Sequence, residues 1–347
     1  MASVGAHNHA LDGLRGFAVL LVFCVHAAGN AAFVGWGLDL QSASFGSLQS
    51  TAQRILFWLY RSHHGVFLFF VLSGYLIARM WLGDPPLSYR RFAWRRTLRI
   101  YPAFLLAFAA SLAFAWSSGT WAPPDWPRVI ANLVFLNGAP GSHVTAFNVV
   151  TWSLFYEMTF YLAFPMLLMT MRSRLAVAIA GFAAPIAAVL FGADALVLCW
   201  SLLFAGVAVA YAGEAWPRVP AAVALATYLA VTTLAAFDAL PPTAAIVAFA
   251  LAAAVVLSLC VRGSNAVARI FEAAPLRALG RVSYSFYLVH WMIVVLVARA
   301  VEGMPMAAAA TVIFGAGFAL SAAAATALWW VTERPYFAYA RRGRSDR

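Results

Sequence analysis

Charge is what this sequence has least of. Only 10% of its 347 residues are Asp, Glu, Lys or Arg, against roughly 25% in soluble domains. A water-soluble fold needs charge over its outside, and a chain of this length cannot hide an apolar fraction of 64% in one core. Lysine is missing altogether, so the net charge of +11 rests on arginine. Cysteine is scarce: Cys24, Cys199 and Cys260 stand one apiece in apolar stretches without a CxxC pair. That pattern excludes a metal knuckle and a disulfide framework, and such cysteines serve as small packing residues. Internal repeats, low-complexity tracts and an appended soluble domain are not found either. What the chain has in abundance is apolar sequence, and lipid is the solvent that fits it.

Crossing a bilayer takes about 20 apolar residues. Such segments fall near 11–30, 64–82, 98–116, 150–170, 175–191, 195–213, 219–237, 243–261, 282–301 and 306–331. They predict an all-α integral membrane protein, a bundle of about ten transmembrane helices, forming one transmembrane domain over 1–347. The first stretch lacks a basic region ahead of it and reads as a retained helix rather than a cleaved signal. With the amino terminus placed in the cytoplasm, 19 of the 23 arginines fall inside, leaving Arg54, Arg61, Arg128 and Arg299 outside. This obeys the positive-inside rule and places both termini in the cytoplasm, with a short basic tail at 342–347. The same distribution argues against nucleic-acid binding, which needs a solvent-exposed basic patch. Of the outer loops, 31–62 ends in the aromatic run Ile55-Leu56-Phe57-Trp58-Leu59-Tyr60, suited to the interface. In 117–149, the apolar piece from Val129 to Leu136 is too short to span and reads as re-entrant or interfacial.

Ionisable groups inside spanning helices are costly and point to function. Arg15 and His26 are eleven residues apart in the first segment, about three turns plus 20°, so they share a face about 16 Å apart along the axis. Alone, Arg15 reads as an interfacial anchor paired with Asp12, and His26 as either a packing hydrogen bond or a catalytic imidazole. Glu157, roughly 10 Å into its segment counted from residue 150, reaches a depth that His26 also reaches. It suits a carboxylate orienting a base or a protonated acid bonding a neighbouring helix. His290, near Tyr284 and Tyr287, reads as a packing histidine. Arg96 and Arg99, one turn apart, suit bidentate phosphate recognition and anionic headgroups equally.

In order along the chain, Leu11-Asp12-Gly13-Leu14-Arg15-Gly16-Phe17-Ala18 with His26, Phe69-Phe70-Val71-Leu72-Ser73-Gly74-Tyr75, Arg95-Arg96-Thr97-Leu98-Arg99-Ile100-Tyr101-Pro102 and Trp152-Ser153-Leu154 with Glu157 resemble the integral membrane acyltransferase-3 family. Leu279-Gly280-Arg281-Val282-Ser283-Tyr284 with His290-Trp291, and Glu333-Arg334-Pro335, complete the series. One departure stands out: where the family commonly carries Gly-Val-Asp-Leu, this chain has Gly65-Val66-Phe67-Leu68.

The resemblance implies a multi-pass enzyme of the bacterial cytoplasmic membrane. It would move an acyl group, usually acetyl, from cytoplasmic acyl-coenzyme A to a hydroxyl of an extracytoplasmic glycan. By the same resemblance Arg15, Arg96 and Arg99 would hold the coenzyme A phosphates. His26 would act as general base or acyl carrier, with Glu157 orienting it, and no metal would be needed. Two other classes stay open on the sequence: a proton-coupled transporter using His26, Glu157 and His290 as a relay, and a non-catalytic subunit of a polysaccharide export system.

Overall fold

A computed structural model describes residues 8–61, 64–82, 88–123, 125–171 and 173–345. Arg172 and Arg347, counted among the inner arginines, and the end of the 342–347 tail lie outside the described residues. Among those described, every regular element is helical: α1 (His9–Trp36), α2 (Thr51–Arg61), α3 (His64–Trp81), α4 (Tyr89–Ser117), α5 (Trp126–Leu133), α6 (Trp152–Thr170), α7 (Arg174–Leu190), α8 (Leu198–Ala212), α9 (Ala221–Ala236), α10 (Pro242–Arg262), α11 (Ala266–Phe271), α12 (Ala274–Arg281), α13 (Ser283–Ala300), α14 (Met306–Val331) and α15 (Glu333–Ser345).

Each of the ten apolar segments contains a helix. Among the described residues, length and composition suffice to cross a membrane in seven cases: α1, the stretch Thr51–Trp81 that holds α2 and α3, α4, Ala195–Ala215 around α8, α10, α13 and α14. The apolar α7 and α9 are shorter. Large apolar side chains point outward, among them Phe191 at 92% exposure and Met169 at 81%. Water would penalise such a surface and lipid does not.

Helix starts follow the capping chemistry of the sequence. Asn8 Oδ1 accepts from Leu11 N (3.2 Å) at the head of α1, Ser88 caps α4 through Arg91 N (3.4 Å), and Asp125 caps α5 through Arg128 N (3.3 Å). Each satisfies an amide that the first turn leaves without an intrahelical partner.

The chain groups into two compact units, each assembled from segments distant in sequence. The first comprises Met1–Val25, Trp58–Gly83 and Ala163–Ser283. Its packing depends on glycine where helices cross at backbone distance. A Cβ on Gly74 would overlap the Leu203 carbonyl, and one on Gly206 would overlap that of Val71, so α3 and α8 are mutually notched. Likewise Gly13 and Gly16 of α1 face the carbonyls of Phe271 and Leu276, and Gly280 faces that of Asp12. Without a hydrophobic drive between helices in lipid, close approach of this kind supplies the association energy. Phe67, the departure from the family pattern, also belongs here. Its ring lies 5.9 Å from Phe249 and 6.3 Å from His64, which itself stacks on Phe249 at 5.0 Å. An apolar residue suits that aromatic setting.

The second unit comprises His26–Phe57, Asp84–Leu162 and Tyr284–Arg347. Its distinguishing feature is the chain between α4 and α6. After α5, Phe135 adopts a left-handed conformation with φ of 63°, and its ring packs 4.6 Å from Phe104 and 5.6 Å from Tyr101 on α4. Non-helical Asn148 is buried, as are Val150 and Thr151 of the single turn Val149–Thr151. The apolar piece around 129–136 forms α5 and a turn whose Phe135 ring packs against α4. Irregular backbone away from water persists only when protein groups satisfy it, and here several do: Phe147 N donates to Asn132 Oδ1 at 3.2 Å, and Asn132 Nδ2 donates to the Thr145 carbonyl at 3.1 Å.

Candidate functional site

The second unit arranges its polar groups along one face of α13. Tyr284, Tyr287 and His290 are spaced by three, so they stack on a single side of the helix. The Tyr284 hydroxyl donates to the Ile100 carbonyl at 3.0 Å. The Tyr287 hydroxyl shares a 2.7 Å hydrogen bond with Ser153 and donates to the Val150 carbonyl. One turn further, the fully buried His290 ring lies 5.2 Å, centroid to centroid, from that of His26 on α1. His26 is half-buried, in contrast to His290.

Charge collects at the other end of the ladder. Arg96 is 9% exposed, its guanidinium 5.3 Å from the Tyr161 ring centroid and 5.6 Å from that of Phe92. Cation–π attraction of this sort strengthens away from water. The Tyr161 hydroxyl donates to Glu157 Oε2 at 3.3 Å, and Glu157 and Arg99 are both within electrostatic reach of Arg96. Arg99 itself lies over Phe337 at 5.9 Å. Two guanidiniums one turn apart, backed by aromatic faces and a carboxylate, form a compact cationic group.

The vertical relation of the two groups follows from helix geometry. Tyr284 is tied to Ile100, the neighbour of Arg99; His290 is six residues further along α13, a rise of about 9 Å. The α6 helix runs the opposite way, with Ser153 beside Tyr287 and Glu157 one turn closer to Tyr284, which it reaches electrostatically. Glu157 is therefore about 10 Å along the axis from His290, on the arginine side. The α6 helix begins beside Tyr287, in the first third of α13. The structure thus groups Glu157 with Arg96 and Tyr161, and His26 with His290.

Arg15 belongs to the first unit, half-buried on α1 between the glycine notches of Gly13 and Gly16. The α1 helix runs unbroken from His9 to Trp36, so the step from Arg15 to His26 is helical throughout. Sequence reasoning read His290 as a packing histidine near Tyr284 and Tyr287 and gave Tyr161 no role. The signal was the three-residue spacing of polar side chains inside an otherwise apolar segment, a spacing that aims them together.

Comparison with known proteins adds to this picture. The acyltransferase-3 family model, described as an acyltransferase domain, matches residues 8–330. Acyltransferase MdmB of Streptomyces mycarofaciens is 27% identical over 320 residues, covering 82% of this chain and 78% of that protein. No solved structure matches. With the family model running from the cap of α1 almost to the end of α14, the chain belongs to the acyltransferase-3 family and is a membrane acyltransferase.

Proposed function

We propose that this acyltransferase moves an acyl group, acetyl in the first instance, from cytoplasmic acyl-coenzyme A to a hydroxyl on an extracytoplasmic glycan. It would do so as a multi-pass protein of a bacterial cytoplasmic membrane with both termini inside. The observation that carries the reading is the pairing, within one compact unit, of a two-arginine group with Arg96 buried and the half-buried His26 imidazole, which lies beside His290 about 9 Å along α13 from Tyr284. In this reading Arg96 and Arg99 bind coenzyme A phosphates as charge-assisted forks, and the family resemblance alone assigns Arg15 to the same task. Glu157, through Tyr161, keeps the Arg96 guanidinium in place. The pantetheine arm then brings its thioester to His26, which takes the proton of the acceptor hydroxyl as general base.

The test is transfer by purified protein in lipid nanodiscs, from labelled acetyl-coenzyme A to envelope polysaccharide of the source cell. Label should appear in an ester that mild base releases. His26→Ala should cut the rate by about 10²–10⁴-fold, the span of a lost general base, without loss of protein from the membrane. A His26→Ala preparation that acylates at the wild-type rate would overturn the catalytic assignment. Label that never leaves coenzyme A in the wild type would overturn the donor and acceptor.

A further inference from the structure

His290 has one nitrogen whose state the fold dictates. Its Nδ1 lies 2.9 Å from the Tyr287 carbonyl oxygen and 3.1 Å from that of Phe286. Both oxygens only accept, so Nδ1 carries the hydrogen, and the neutral ring presents a lone pair at Nε2. That Nε2 is buried without a hydrogen-bond partner among the described residues. A buried acceptor left in this way carries a desolvation cost that a packing histidine satisfied at both nitrogens would not incur. One flank of the ring is closed by Phe286, stacked at 5.8 Å and 15°. On another side, 5.2 Å away and tilted by 52°, is His26.

We infer that His290 is the positioning residue for His26: its Nε2 lone pair accepts the N–H of the His26 imidazole and so fixes which His26 nitrogen faces the acceptor hydroxyl as a base. This deepens the proposed function and rests on it. The role is the one a third group plays for any catalytic imidazole, that of selecting the tautomer. A neutral imidazole fills it here, while Glu157 stands on the arginine side. The step balances as follows. The hydroxyl O–H breaks and its proton goes to the exposed nitrogen of His26. The oxygen bonds to the thioester carbonyl carbon, the C–S bond breaks, and the departing thiolate takes the same proton back. Throughout, the second N–H of His26 stays on His290 Nε2.

Two measurements test this. In the nanodisc assay with labelled acetyl-coenzyme A and envelope polysaccharide, His290→Leu should lower kcat by about 10²-fold or more, with KM for acetyl-coenzyme A within twofold of wild type. His290→Gln, which restores an acceptor oxygen, should recover at least tenfold of that loss. Equal losses in the two variants, or a wild-type kcat in His290→Leu, would refute the role. The second measurement does not depend on turnover or on a variant that folds: nitrogen-15 spectra of histidine-labelled wild-type protein in the same nanodiscs. His290 should appear as the Nδ1–H tautomer with a hydrogen-bonded Nε2, and His26 as a single tautomer. A His290 protonated at Nε2, or a His26 divided between tautomers, would sink the inference. Failure of the wild type to transfer acetyl would instead count against the proposed donor or acceptor and leave the spectra to decide the pairing.

Discussion

Replacing Tyr287 by phenylalanine removes one oxygen and almost no volume, which makes it a clean probe of how the start of α6 is held. The hydroxyl is buried between Ser153 Oγ, at 2.7 Å, and the Val150 carbonyl. These two residues mark the start of α6. Without the tyrosine oxygen, the Val150 carbonyl loses a donor at a buried position. Ser153 offers a partial remedy, since its Oγ already lies 3.4 Å from the Val150 carbonyl and can turn to donate there. The cost is therefore bracketed. With full rescue by Ser153 it is one net hydrogen bond, about 1 kcal/mol; with none, the unsatisfied group raises it to about 3 kcal/mol. Adding Ser153→Ala removes the remedy, so the double variant should lose more than the sum of the singles, by about 1 kcal/mol of coupling. Equilibrium unfolding in mixed detergent micelles, followed by helical circular dichroism, measures all three variants. Tyr287→Phe within about 0.3 kcal/mol of wild type, with a strictly additive double variant, would show that the ladder on α13 does not anchor α6, because so small a change lies below one net bond.

Two further variants probe other parts of the molecule. Arg96→Ala should raise KM for acetyl-coenzyme A by about 10–150-fold, the loss of one charge-assisted bond. Arg96→Lys should recover only part of this, because a lysine keeps the charge but loses the planar fork; equal KM in wild type and Arg96→Ala would remove Arg96 from coenzyme binding. Gly206→Ala sets a methyl group against the Val71 carbonyl where α3 and α8 are closest, and it should cost about 1–3 kcal/mol by overpacking. An unchanged unfolding midpoint would show that the two helices separate freely to admit it.

Composition and run length made the helical membrane class readable, because lipid imposes a solvent requirement on every span whatever its neighbours. The glycines were legible as motif members, yet their reason was not. Gly13, Gly16 and Gly280 are accounted for only when the carbonyls of Phe271, Leu276 and Asp12 are seen where a side chain would stand. Likewise, Phe67 looked like a lost acid in sequence and is a member of an aromatic cluster with His64 and Phe249 in space.

Depth is the quantity that a residue count leaves open, and the reason is specific. A count needs a starting surface, and α6 begins beside Tyr287, after the turn at Phe135 and the single turn at Val150. Position against α13 needs no surface: Glu157 lies one turn from Ser153 toward Tyr284, on the side of Arg96. Relative position within one helix is equally independent of it. Tyr284, Tyr287 and His290 keep their three-residue steps wherever the surface lies, and each step meets a different partner: Ile100 on the arginine helix, Ser153 at the head of α6, His26 on α1. A polar side chain repeated at helical spacing through an apolar segment is thus the safer guide to a membrane active site, because it depends on the helix alone and not on where the bilayer begins.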